Sequence, residues 1–253
     1  MSSRKHDIEL EVAAPRELVW QAITEGAGIT RWFAPEAQVE PGEGGSVFLS
    51  WGPGMEGKAP ITIWDPGRRF GWTEHQGSER PRTVELTLAG EGGSTTLRLV
   101  HSGFGADASF DAEYESTHGG WHTFLAMLRF GLERHPGTPA KNVTVMRMSE
   151  LAPADLRGRL AAATGTGSVT EGARHQVRLA GQALDTTVLR APQPGYVCLS
   201  VDVWADAILS LFAENCGGAS VLTLVAILFG ESAEREPEVR AALEELAAAV
   251  AAG

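Results

Sequence analysis

Only two cysteines, Cys198 and Cys216, occur in 253 residues. A disulfide framework is therefore not what organises this chain, and a reducing compartment is the expected home. Basic residues are also in short supply: 21 Lys and Arg stand against 32 Asp and Glu, for a formal net charge of -11. Nucleic acids and anionic lipid surfaces both need clustered Lys and Arg, so neither is an expected partner. No apolar run approaches the roughly 20 residues of a membrane helix; the most apolar, Ala219 to Phe229, has the length of a buried strand. Met1 to Asp7 is polar and no apolar segment follows, so no secretory signal is read and the expected location is the cytoplasm. Also missing are Cys-x-x-Cys, His-Glu-x-x-His, a nucleophile elbow and a Walker loop, so no cofactor is expected.

What is there is one pattern written twice. The first copy opens with Ile8-Glu9-Leu10-Glu11-Val12 and then Ala14-Pro15-Arg16-Glu17-Leu18. The second opens with Val143-Thr144-Val145 and then Ala152-Pro153-Ala154-Asp155-Leu156. Each reads as a strand, a helix started by proline at its first position, several short strands and a final amphipathic helix. The final helices are predicted at 111–135 and 236–252. The first carries Tyr114, Thr117, Trp121, Phe124, Leu125, Leu128 and Leu132 on one face, the second Val239, Leu243, Leu246 and Val250. In the second copy, strands are predicted at Gln176–Leu179, Asp185–Arg190, Tyr196–Val203, Ala207–Phe212 and Val221–Phe229.

The pentapeptide Gly-Glu-Gly-Gly-Ser occurs at 42–46 and at 90–94, each time before a strand. A phosphate-cradling loop needs a following helix, whereas a hairpin turn needs only glycine's positive φ, so two turns are predicted. Pro136-Gly137-Thr138-Pro139 cannot continue a helix and marks the expected boundary. The predicted organisation is a domain at 1–136, a linker at 137–141 and a shortened second domain at 142–253.

The first copy resembles the START/Bet v1-like (SRPBCC) superfamily, in its branch related to the activator of Hsp90 ATPase. The resemblance rests on Val12-Ala13-Ala14-Pro15, Ile29-Thr30-Arg31-Trp32-Phe33-Ala34-Pro35, Asp65-Pro66-Gly67-Arg68-Arg69, and Gly120-Trp121 with Phe124, Leu125 and Leu128. It covers about residues 5–135; beyond that only the repeated order of elements continues it. The resemblance implies an α+β helix-grip fold, here two in tandem, each an antiparallel curved sheet around a long C-terminal helix. It also implies apolar ligands held in an enclosed cavity, polyketide cyclase or aromatase activity in some relatives, and double-domain members in actinomycete polyketide and enediyne gene clusters.

Polar residues on otherwise apolar strand faces are the candidate chemistry. Glu74 shares a face with Phe70 and Trp72, and His101 shares one with Leu97 and Leu99. As a catalytic pair, Glu74 and His101 would be acid and base for an aldol-type cyclisation; as ligand-orienting groups they would donate and accept hydrogen bonds; as strand-end residues they would reach water. His118 and His122 are spaced i, i+4, but no third ligand stands out nearby, and a solvated helix edge rather than a metal site is expected. Six of the seven tryptophans fall in the first copy, which suits a roomy apolar cavity with stacking surfaces because each indole N–H needs a partner. The expected ligand-binding residues are Trp20, Trp32, Phe33, Trp51, Trp72, Trp121, Phe124 and Leu125.

Three functions follow. The first is binding of a hydrophobic, elongated polyketide or polyene in natural-product biosynthesis or self-resistance, with biosynthetic enzymes as candidate partners. The second is a polyketide cyclase or aromatase using Glu74 and His101. The third is a co-chaperone-like interaction module, which would need an exposed apolar patch of several hundred Å2.

Overall fold

The alternating residues at the start of the chain form a strand, β1 (Ser3–Val12), whose partner is the last strand of its sheet, not the next in sequence. This is seen in a computed structural model that describes residues 3–74, 81–216 and 219–252, the side chain of Cys216 lying outside them. Two short helices follow β1: α1 (Arg16–Thr24) and α2 (Gly26–Ile29). Then come β2 (Glu36–Glu40), β3 (Ser46–Ser50), β4 (Glu56–Asp65), β5 (Arg69–Glu74), β6 (Arg82–Ala89) and β7 (Thr95–Gly105). They make an antiparallel seven-stranded sheet in the order β1-β7-β6-β5-β4-β3-β2.

The two Gly-Glu-Gly-Gly-Ser segments are the hairpin turns between β2 and β3 and between β6 and β7. Their first two glycines take φ of +110° (Gly42) and +82° (Gly44) in one turn and +106° (Gly90) and +73° (Gly92) in the other. Only glycine reaches that region cheaply, which is why the same five residues occur twice.

After α3 (Asp111–Arg134) the second copy repeats the plan with one strand fewer. β8 (Ala140–Ser149) leads to α4 (Pro153–Thr164), then to β9 (Arg174–Leu179), β10 (Gln182–Arg190), β11 (Tyr196–Val201), β12 (Ala207–Cys216), β13 (Ala219–Phe229) and α5 (Glu236–Ala251). The sheet order is β8-β13-β12-β11-β10-β9, so the opening strand again pairs with the last. The fold is thus α+β, with two tandem domains whose antiparallel sheets are each followed by a long helix, as in helix-grip proteins.

Several strands depart from the expected boundaries. β8 begins at Ala140, inside the expected linker, β10 begins at Gln182, β12 runs on to Cys216, and β11, expected to reach Val203, stops at Val201. Asp202–Trp204 is instead a 3-10 turn, closed by Ala205 and Asp206 at positive φ, with Asp202 paired to Arg174 at 2.6 Å. A turn that needs two consecutive left-handed residues has no signature when those residues are Ala and Asp.

The molecule divides into two compact units, residues 1–114 with 128–137 and residues 115–127 with 138–253. The middle of α3 therefore groups with the second sheet. In that unit, Val239, Leu243, Leu246 and Val250 of α5 pack with Leu156 and Leu160 of α4 into one core with Val197, Leu199, Leu209, Leu211 and Leu224. The opposite face is buried as well: Ile208, Ser210, Phe212, Val225 and Ile227 are at most 2% exposed. A strand covered on both sides shows no alternation, which accounts for the unbroken apolar text of β13.

Candidate functional site

The inner face of the first sheet is built in cross-strand rows. Phe70, Leu86 and Leu99 stand opposite one another, and the next row is Trp72, Val84, His101 and His6. Directly opposed residues share a face, so Phe70, Trp72, Leu86, Leu99, His101 and His6 all project to one side. α1 lays Trp20 on this side. Its ring meets Trp64 edge-on at 5.3 Å and Phe70 at 6.5 Å, while Phe70 lies 5.6 Å from Trp72. Such edge-to-face contacts add about 0.5–1.5 kcal/mol each beyond area burial.

The Arg31-Trp32-Phe33 segment after α2 forms a second aromatic group. Trp32 is buried and donates its indole N–H to the Ala22 carbonyl at 2.9 Å. Phe33 stacks on Trp32 and meets Trp51 edge-on, both at 5.2 Å. Arg31 reaches the other way, to the His135 carbonyl just beyond α3, at 2.8 Å. Three consecutive residues thus bind α1, the β3 end and the α3 terminus, which gives the motif a mechanical meaning.

Glu74 accepts the indole N–H of Trp72 at 3.2 Å. It shares the inner face with His101 but stands two strands and one row away, on the order of 10 Å. The two are brought to one surface without touching. His101 is buried between His6, 6.2 Å away, and Phe104, 4.6 Å away, and His6 stacks on Tyr114 at 4.1 Å. Burial first, then the charges of His6 and Arg82, push the pKa of His101 down to about 3. It is therefore a neutral imidazole at neutral pH.

The remaining expected residues, Trp121, Phe124 and Leu125, belong to the second compact unit. Trp121 and Leu125 are buried, and Phe124 meets Phe212 edge-on at 5.5 Å. The helical spacing identified a buried face but not the sheet that buries it.

Residues 13–133 match the family described as Activator of Hsp90 ATPase homolog 1-like protein. Over those residues the chain is similar to that family. Among solved structures, CalU16 from Micromonospora echinospora is 29% identical, covering 50% of this chain and 74% of its own at a TM-score of 0.41. DynU16, described as a protein of the dynemicin biosynthetic locus, is 19% identical over 97% of this chain and 96% of its own, at a TM-score of 0.44. The Aha1 dimer protein from Colwellia psychrerythraea is 21% identical over 54% of this chain and 100% of its own, at a TM-score of 0.44. No curated protein matches the chain.

The second unit holds a polar cluster that sequence reasoning missed. Tyr196 at the start of β11 and Ser116 of α3 both hydrogen-bond Glu214 Oε2, each at 2.7 Å. Tyr196 packs so closely on the helix that a side-chain carbon on Gly119 would come within 2.8 Å of its ring. Burial raises the Glu214 carboxyl and, with help from the adjacent Glu214, the Tyr196 phenol. The available signal was parity: Glu214 lies on the same side of β12 as the buried Ser210 and Phe212.

His118 and His122 lie beside each other at 4.5 Å, ring to ring. His122 Nδ1 accepts from Arg190 at 3.1 Å, and Arg190 is paired with Glu171 at 2.9 Å. Burial first, then His118 and Arg190, lower His122 to about 4. Among the described residues no group of three or more His, Cys, Asp or Glu could hold a metal ion. Cys198 is buried and unbridged, and burial raises its thiol to about 12. No helix among the described residues is long and apolar enough to cross a membrane.

Proposed function

We propose that the first unit binds a hydrophobic, elongated polyketide or polyene on the aromatic inner face of its sheet. The observation that carries this reading is the contiguous aromatic cluster of Trp20, Trp64, Phe70 and Trp72, continued by Leu86 and Leu99. Flat rigid rings offer a conjugated chain stacking area with few rotors to immobilise. Glu74 and His101 supply the few polar groups that orient a ligand in an apolar site. The resemblance to double-domain family members supports a setting in natural-product biosynthesis, and the scarcity of cysteine supports the cytoplasm.

Orientation suits these two residues better than acid–base catalysis. Glu74 is held by an indole N–H, and His101 is buried and difficult to protonate. For the interaction-module reading, the only exposed large hydrophobic residues among those described are Met148 and Val203. Two isolated side chains do not make a docking patch.

Titration with a conjugated polyene, followed by tryptophan fluorescence, tests the proposal. Quenching that saturates, and that weakens at least tenfold in Trp72→Ala, is expected. Absence of quenching by any apolar polyene would overturn it.

A further inference from the structure

The second unit carries a cleft outside the residues matched by the family. It is bounded by α4 on one side and by Ala191–Val197 on the other, and its volume is about 700 Å3. Ligand sites for small molecules usually span about 300–1,000 Å3. Leu160, Val197 and Leu211 give it an apolar floor, and Thr166 and Ser168 add hydroxyl groups.

Arg157 is the sole charged residue among those that line the cleft. Among the described residues it takes part in no ion pair or hydrogen bond, although the chain carries a net charge of -11. The stem of Arg157 lies directly against Gly195. Gly195 sits at φ +88°, and a side-chain carbon there would come within 2.3 Å of Arg157 Cδ and 2.9 Å of the Ala213 carbonyl oxygen. Glycine at 195 is thus what lets the arginine lie along the cleft wall. Pro192 and Pro194, also in the lining, fix the backbone of that wall.

We propose that this cleft is a second ligand site, for a small carboxylic acid with an apolar body. Arg157 receives the carboxylate, and Leu160, Val197 and Leu211 receive the body. A single guanidinium fork matches a carboxylate bidentately and leaves one negative charge neutralised. A phosphate dianion would call for a second cation, and the lining has none. This cleft is independent of the ligand site proposed on the first sheet.

The test uses the full chain, labelled with 15N, titrated with octanoate and separately with 1-octanol. Saturable amide shifts confined to Gly165–Val169 and Gly195–Val197 are expected with octanoate, with octanol at least tenfold weaker. Arg157→Gln should weaken octanoate at least tenfold and bring acid and alcohol to similar affinity. The proposal is overturned if those amides do not move, if octanol binds as tightly as octanoate, or if Arg157→Gln changes affinity less than twofold. The acid-against-alcohol comparison in the unaltered protein decides the matter even where the variant folds poorly.

Discussion

Tyr196 donates its hydroxyl proton to Glu214 Oε2 over 2.7 Å, and burial moves both groups up in pKa. The carboxyl therefore holds its proton more firmly in the folded chain than in the unfolded one. Stability from this group is full below the unfolded value of about 4.5 and declines as pH rises towards the folded value. Glutamine keeps an acceptor for Tyr196 and Ser116 and has no proton to lose. Glu214→Gln should gain stability relative to the parent as pH rises above 4.5, whereas Glu214→Leu should lose about 1–3 kcal/mol by stranding two hydroxyl donors. Urea unfolding at pH 5 and pH 8 checks both; a Gln variant that weakens with pH would contradict the assignment.

His101 gives the opposite slope. Its folded pKa of about 3 lies below the ordinary 6.5, so only the unfolded chain takes up the proton between those values. Stability is complete above about pH 6.5 and falls on acidification, by at most about 1.4 kcal/mol per pH unit for one group. His122, lowered to about 4 but more exposed, adds a smaller slope of the same sign. His101→Phe should flatten the decline of melting temperature between pH 6.5 and 5. An unchanged slope would place the acid sensitivity elsewhere.

Arg31 ties the helix-terminal carbonyl of His135 to the segment after α2, and burial lowers its pKa. Arg31→Met keeps the stem and removes the hydrogen bond. It should cost about 1.5–3 kcal/mol, the range for hydrogen bonds to charged groups. Amide exchange should speed up first in residues 131–135, where α3 loses its cap. Uniform exchange across the unit would show that the contact is dispensable.

Gly28 lets α2 fold back on α1. A side-chain carbon there would come within 2.3 Å of the Gln21 carbonyl oxygen and 2.7 Å of Ala22 Cα. Both contacts are backbone, so neither can rotate away. Gly28→Ala should cost about 1–3 kcal/mol, as overpacking does, and disturb the Trp32–Ala22 hydrogen bond. The near-ultraviolet dichroism of tryptophan reports the second effect directly.

In several elements where side chains alternate or recur at helical spacing, the text and the structure agree. β1, the stripe of α5 and the paired glycine turns all follow from local periodicity or from a φ only glycine tolerates. Trp121, Phe124 and Leu125 show the limit. Their spacing records that a face is buried, yet the covering residue Phe212 lies 88 positions after Phe124, and no local pattern names it. Glu214 was overlooked for the same reason, since its partners Tyr196 and Ser116 come from a neighbouring strand and a helix about 100 residues earlier. Nothing local in the sequence sets Arg157 apart from other helix-surface cations; its neighbour Gly195 is 38 positions away.

Both sheets join their first strand to their last, and this fixes an order of events during synthesis. β1 waits for β7, then β8 waits for β13, which begins at Ala219, some 80 residues behind it. The stretch 115–127 is made before any strand of the sheet it groups with. At about 5–20 residues per second, Trp121 and Phe124 leave the ribosome roughly 5–20 s ahead of Phe212 and Glu214. During that interval an aromatic helix is complete while its cover does not yet exist. A chain halted near residue 140 should therefore be the species most prone to capture by chaperones or to aggregation, more so than either a shorter or the finished chain.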